Sequence, residues 1–340
     1  MLDIVALPKS ELHLHLEGAI PPSSLLALLR KYQAPDCQNL EALRARLVYR
    51  DFDHFLDTWT WMTRYVRAYE DFRWIAEGVA RSLADQGIRY AEVFFSAPDF
   101  FQHGLSITEI ALAIREGLER AAGAVRVRLI CDLCRQHPPE RAAAWLEEIA
   151  AVRHDAGIIG VGLGGPEHRF PPEPFAGVYR RAAELGLRRV AHAGEAAGPE
   201  SIRGALDALG AERIGHGTRA VEDPELVRRL ASEGIALEVC PTSNVCTGVV
   251  RSLETHPVRA LFDAGVRVTL ASDDPSFFGA NLVQEYANLR SLGFSDAELL
   301  QIARNGFEAA FLSDAERAVW LREIDAVATT NVRERAAGTF

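Results

Sequence analysis

The sequence predicts an α/β fold of the (β/α)8, or TIM-barrel, type. Three observations carry that expectation. Short apolar or β-branched runs recur at fairly even intervals along the 340 residues, eight of them in all. Amphipathic helical stretches lie between most of these runs. Polar residues of chemical use collect where several runs end. Alternating strands and helices give a parallel sheet covered by helices, and eight such units suggest a closed barrel.

The first run, ELHLHL at 11–16, puts Leu12, Leu14 and Leu16 on one face and His13 and His15 on the other. The leucine face suits the interface between barrel and helices, so the histidines are expected to face the barrel mouth. The remaining runs are RYAEVFF (89–95), RVRLICDLC (126–134), IIGVGLG (158–164), RRVAHA (188–193), RIGH (213–216), ALEVC (236–240) and RVTLAS (267–272). Helical patterns occupy 107–122, 139–153, 174–185, 200–209, 223–233 and 256–264. A barrel takes about 250 residues, which leaves roughly 90 for extensions. Residues 20–86 carry several helical patterns between the first two strands, and 281–335 carry more after the last. No linker, low-complexity tract or repeat divides the chain, so residues 1–340 are expected to form one domain.

Composition narrows the class. The chain is 48% hydrophobic and 25% charged, as a globular protein is. A net charge of −10 argues against nucleic acid as a partner, which would require a basic face. No apolar run approaches the roughly 20 residues that span a bilayer. The start, MLDIVALPKSELHLHLEG, lacks the basic and apolar regions of a signal peptide. A cytoplasmic location without membrane partners is expected. The five cysteines are then free thiols. Cys131 and Cys134 form a CxxC, but on a strand they point to opposite faces, against a metal pair.

The chemistry lies at strand ends. His13 and His15 share a face of the first strand. His192-Ala193-Gly194-Glu195 closes the fifth, Gly215-His216-Gly217 the sixth and Ser272-Asp273-Asp274 the eighth. The C-terminal ends of barrel strands are where catalytic groups collect, and buried imidazoles and carboxylates are costly without a partner. Their joint occurrence indicates a metal site. Three neutral histidines and a carboxylate suit zinc or another borderline divalent ion, with a position left for water. The only lysines are Lys9, read as preceding the first strand, and Lys31 in the helical insertion. Neither can supply a carbamylated bridge between two metals, so one metal per chain is expected.

With LPKSELHLHLEG, LGGPE, VAHAGE, ERIGHG, CPTSN and ASDDP in this order, the sequence resembles the adenosine deaminase family over essentially its whole length. The resemblance implies a zinc site of His13, His15, His192 and Asp273. It implies that Glu195 protonates purine N1 and that His216 and Asp273 orient the attacking water and handle its proton. It further implies that Asp274 bonds N7, the Gly165 N–H reaches N3 and Glu17 faces the sugar. The expected activity is hydrolytic deamination of a small purine nucleoside, adenosine or 2′-deoxyadenosine.

Two departures bear on the substrate. Nucleoside deaminases of the family usually carry aspartate where this chain has Glu17, and often Asp-Leu where it has Gly162-Leu163. Glutamate also occurs there in adenine deaminases and in deaminases of 5′-modified nucleosides. In the insertion, DTWTWMTRYVRAY brings Trp59, Trp61, Met62, Arg64 and Arg67 together. Such a segment could cap the pocket and receive an aromatic carboxylate, as in aminodeoxyfutalosine, or could simply pack an amphipathic helix. Other classes fit less well. Zinc deaminases of the cytidine type need PCxxC after HxE, and this chain has CPTSNVC instead. Barrel phosphoesterases generally need a second metal. A binding protein would normally have lost a ligand or the proton donor.

Overall fold

The computed structural model describes residues 2–35, 37, 39–121 and 125–337, with side chains through residue 329. Eight strands make one parallel sheet in sequence order. They are β1 (Lys9–His15), β2 (Ile88–Phe95), β3 (Arg126–Asp132), β4 (Ile158–Gly162), β5 (Arg188–Ala193), β6 (Arg213–His216), β7 (Ala236–Val239) and β8 (Arg267–Leu270). One bridge, Leu14 to Asp273, joins the first strand to the end of the last. There the His15 N–H donates to the Asp273 carbonyl and the Asp273 N–H to the His13 carbonyl, each at 3.0 Å. The expected barrel is therefore present.

Both expected extensions are helical. Between β1 and β2 lie α1 (Pro22–Lys31), α2 (Leu40–Arg46), α3 (Phe52–Thr63) and α4 (Tyr69–Asp85). Asn39 and Asp51 cap α2 and α3 through side-chain bonds to backbone N–H groups. The outer helices are α5 (Ile107–Arg120), α6 (Pro139–Ala156), α7 (Ala176–Glu184), α8 (Pro199–Asp207) and α9 (Pro224–Glu233). Proline opens α6, α8 and α9, where its missing N–H costs nothing. A short helix, α10 (Pro241–Cys246), follows β7, and α11 (Val258–Asp263) precedes β8. The chain ends in α12 (Pro275–Phe278), α13 (Leu282–Ser291), α14 (Asp296–Ala309) and α15 (Asp314–Ala337).

Two details correct the sequence reading. Lys9 is the first residue of β1 rather than a residue before it, and it is buried. Its amine donates to the carbonyls of Ile4 and Leu7 at 2.6 Å and of Val5 at 3.2 Å, which holds the N-terminal loop under the barrel. β3 stops at Asp132, and Cys134 sits beyond it at φ 49°, so strand alternation does not relate the two cysteines. Both thiols are buried, and burial pushes each well above the usual thiol range.

The leucines of β1 face the helices in the large core. Inside the barrel, Phe94, Ile130 and Val190 form a small separate cluster, with Phe311 packed against it. Below the mouth, the barrel interior also holds charge. Arg213 bonds Glu238 on one side and Glu92 on the other, and its guanidinium lies 3.8 Å from the centre of the Phe311 ring. The Phe311 N–H and the Tyr90 hydroxyl both donate to Glu92. The segment after α14 thus plugs the barrel floor.

Candidate active site

The sequence's strand-end residues converge at the barrel mouth. The Nε2 atom of His192 lies 3.0 Å from that of His13 and 3.1 Å from that of His15. Asp273 Oδ1 stands 3.5 Å from His13 Nε2 and 3.4 Å from His15 Nε2. His216 Nε2 is 3.5 Å from Glu195 Oε2 and 4.0 Å from Asp273 Oδ2. His13, His192, His216 and Asp273 each bring one possible ligand atom within 4.8 Å of the others. All of these side chains are buried.

Local chemistry shows what the cluster is built to hold. His13 Nδ1 lies 2.7 Å from Glu238 Oε2. Arg213 outweighs the burial that would raise Glu238 and keeps its carboxyl below the usual range, so Glu238 accepts a proton bond from His13 Nδ1. His13 Nε2 then faces Asp273 with a proton between them, and a bound ion would take the place of that proton. Three imidazole nitrogens crowded beside a carboxylate repel unless a proton or a cation lies between them. The donor set of nitrogen and oxygen suits zinc. Lys31 pairs with Asp71, 2.5 Å away on the insertion, and Lys9 is tied to the floor, so neither amine joins the cluster.

Backbone geometry is unusual at two of these positions. His216 has φ 61° and Asp273 φ 60°, left-handed values that a side chain seldom adopts. The turns aim both side chains into the mouth rather than along their strands. Gly215 precedes His216 because a Cβ there would come within 2.6 Å of His13 Cε1.

The carboxyl groups differ in charge. Burial, with the charges of Asp273 and Glu167, raises Glu195 well above the ordinary range. Burial and the charge of Asp273 do the same to Asp274. Burial also works against ionised Asp273, but the bond from His13 and the neighbouring histidines hold it well below the ordinary range. Burial lowers His216 to about 3, which leaves its ring neutral.

A cavity of about 350 Å³ opens beside this cluster. His15, His192, His216, Glu195, Asp273, Asp274 and Gly165 all line it. Glu17 does not open on it directly: its Oε1 accepts from the Ser96 N–H at 2.9 Å, and Ser96 forms part of the wall. Of the aromatic and basic residues singled out in the insertion, Trp59 alone lines the cavity. Trp61 and Met62 are buried in the core, and Arg67 lies over the rings of Tyr32 and Tyr65. The basic residue at the mouth is Arg169, which bonds Asp53 of α3 at 2.8 Å.

Several supporting residues have no obvious sequence signal. Glu167 accepts from the N–H groups of Gly194, Glu195 and Ala197 at 2.6, 3.0 and 2.9 Å, and so clamps the loop carrying Glu195. Arg135 donates to the His192 carbonyl at 2.6 Å. Glu11 bonds Ser272, and the Ser243 hydroxyl donates to Asp273 Oδ2 at 2.6 Å. Glu167 lies in LGGPE and Ser243 in CPTSN, so motif position was the available hint.

Fold and site together define a barrel hydrolase with its reactive groups at the C-terminal strand ends. The adenosine deaminase family model matches residues 8–327, and the chain belongs to the adenosine deaminase family of hydrolytic deaminases. It is similar to adenine deaminase of Cupriavidus necator, 41% identical over 94% of this chain and 91% of that one. It is also similar to aminodeoxyfutalosine deaminase of Streptomyces avermitilis, 38% identical over 95% of this chain and 91% of that one. A zinc-bound amidohydrolase from Burkholderia ambifaria superposes with a TM-score of 0.88 at 30% identity, covering 96% of this chain and 93% of that one.

Proposed function

We propose that the protein removes the 6-amino group of a purine nucleoside, adenosine or 2′-deoxyadenosine, as ammonia, leaving inosine or 2′-deoxyinosine. The observation that carries the nucleoside reading is the extent of the cavity lining. It runs from Glu195 and His216 past Gly165 and Asp132 to Phe52, Leu56 and Thr60 on α3. A bare purine would leave part of this lining uncovered, and a sugar on N9 would reach it.

His13, His15, His192 and Asp273 would hold one zinc ion. Bound there, the ion acidifies water so that hydroxide is available near neutral pH. His216 and Asp273 orient the attacking oxygen toward C6. Glu195, protonated because it is buried beside other carboxylates, gives its proton to N1 as the oxygen adds, so the ring electrons settle on a neutral nitrogen. Asp274, also protonated, donates to N7, which can only accept. The Gly165 N–H reaches N3, and Glu17 braces the sugar side through Ser96. The proton that Asp273 takes from the attacking water passes to the amino nitrogen, the C6–N bond breaks with its electron pair on that nitrogen, ammonia leaves, and the C6 hydroxyl proton returns to Glu195 as the carbonyl forms.

Two other substrates have a specific observation behind them. The Asp132 carboxylate lines the cavity and would accept the N9–H of free adenine, the substrate named for the Cupriavidus relative. Arg169 at the mouth would meet a carboxylate carried on a 5′ substituent, as aminodeoxyfutalosine has. Side-by-side kcat/KM values for adenosine, 2′-deoxyadenosine, adenine and aminodeoxyfutalosine, with metal analysis of protein purified without added zinc, test the proposal. Efficient turnover of adenine alone would refute the nucleoside reading.

A further inference from the structure

His216 has two ring nitrogens, either of which can carry a proton. Which one decides whether its Nε2, the atom facing the site, donates or accepts a hydrogen bond. The structure answers this through a chain of bonds behind the histidine, read from the one group whose role is fixed.

That group is the backbone N–H of Val258, which can only donate. It donates to His256 Nδ1 at 3.1 Å. His256 is 5% exposed, and burial lowers its pKa to about 4. Its single proton therefore sits on Nε2, 3.1 Å from Asn244 Oδ1. The Thr218 hydroxyl donates to the same oxygen at 2.9 Å. These two donors fix the carboxamide of the fully buried Asn244 with its oxygen toward them and its nitrogen toward His216. A flipped carboxamide would set N–H against the N–H of His256. Asn244 Nδ2 thus donates to His216 Nδ1 at 3.1 Å, and the proton of His216 is left on Nε2.

We propose that Asn244, set by Thr218 and His256, is a positioning residue that locks His216 in its Nε2–H tautomer, so that His216 meets the attacking oxygen as a hydrogen-bond donor and not as the base that takes its proton. The inference rests on the deaminase reading for the identity of that oxygen, but the bonding chain stands apart from any substrate. Asp273, with Oδ2 4.0 Å from His216 Nε2, is the acceptor left for the proton. His216 instead supplies a preorganised donor where negative charge moves from water oxygen toward the ring.

The test uses zinc-loaded protein labelled with 15N-histidine and two-bond 1H–15N spectra, which distinguish the two neutral tautomers and the cation. His216 is assigned by the signal lost in His216→Asn. The Nε2–H pattern is expected for His216 and for His256, and an Nδ1–H pattern at His216 overturns the proposal. Asn244→Asp places an acceptor against Nδ1. In that variant the His216 signal should gain an Nδ1 proton, and kcat should fall at least about 10²-fold with little change in KM, since a catalytic imidazole held in the wrong tautomer loses on the order of 10⁴-fold elsewhere. A folded, zinc-replete Asn244→Asp variant with wild-type kcat also overturns it. The spectrum of the unmutated protein is recorded without substrate, so it decides the tautomer even if no purine nucleoside is turned over.

Discussion

Glu195 and Asp274 flank the cluster as carboxyl groups that burial keeps protonated, and each is asked for a different service. In the proposed reaction Glu195 would transfer its proton, whereas Asp274 would only share one. Glu195→Gln preserves shape and hydrogen bonding but has no transferable proton. It should keep the metal in elemental analysis and lose about 10²- to 10⁴-fold in kcat; undiminished turnover would remove Glu195 from the role of acid. Asp274 depends on its neighbour for space. A Cβ added at Gly18 would overlap Asp274 Oδ1, so Gly18→Ala must displace that carboxyl from its position in the cavity wall. Loss of one bond to the purine should lower kcat/KM by about 10- to 100-fold, with thermal unfolding as the control for general damage. An unaffected kcat/KM would show that Asp274 does not touch the substrate.

Elements with strong local patterns were legible in the sequence, and the bonds between elements were not. The alternation of β1 separated the leucine and histidine faces, and α5 to α9 and α11 fell close to the six expected helical ranges. The short α10 gave no periodicity to read, although it carries Ser243 and Asn244 to Asp273 and His216. Those pairings span about 30 residues of intervening chain and two strand ends, so spacing could not reveal them. The insertion was correctly read as helical, but neither Arg64 nor Arg67 lines the cavity, and Arg67 lies instead over the rings of Tyr32 and Tyr65. The start of α14 offers a test at this scale. Glu298 accepts from the Ser295 N–H at 2.6 Å in a capping box and from Arg259 at 2.6 Å. The bond from Arg259, followed by those from Ser295, lowers its pKa from 4.5 to about 2. Because the folded value lies below the unfolded one, this contribution is fully present above pH 4.5 and is lost as pH falls through about 2. Glu298→Gln should cost about 1 kcal/mol at neutral pH and flatten the acid limb of stability in that window. Urea unfolding across a pH series measures both, and parallel limbs would contradict the assignment.

At the scale of the whole molecule, buried charge links the mouth of the barrel to its floor. His13, Glu238, Arg213 and Glu92 follow one another, and the segment after α14 closes the line at Phe311. Arg213→Met would remove the guanidinium between two interior carboxylates, leaving Glu238 its bond from His13 and Glu92 those from Tyr90 and the Phe311 N–H. It should destabilise the protein by about 3–5 kcal/mol, read as a lower midpoint in urea, and a midpoint within error of the unmutated protein would refute the pairing. The bridge between Leu14 and Asp273 has a different consequence. It is the seam at which the two edges of the sheet meet, and the proposed ligands sit on both sides: His13 and His15 on the first edge, Asp273 on the last. An ion held there would work as a clasp across the seam, and its binding energy would add to the cohesion of the closed cylinder by mass action, about 4 kcal/mol at a thousand times its Kd. Chelation should therefore speed amide hydrogen exchange first at residues 9–16 and 267–274, and only later at the β3–β4 side of the wall; uniform acceleration around the cylinder would mean that the ion fastens nothing.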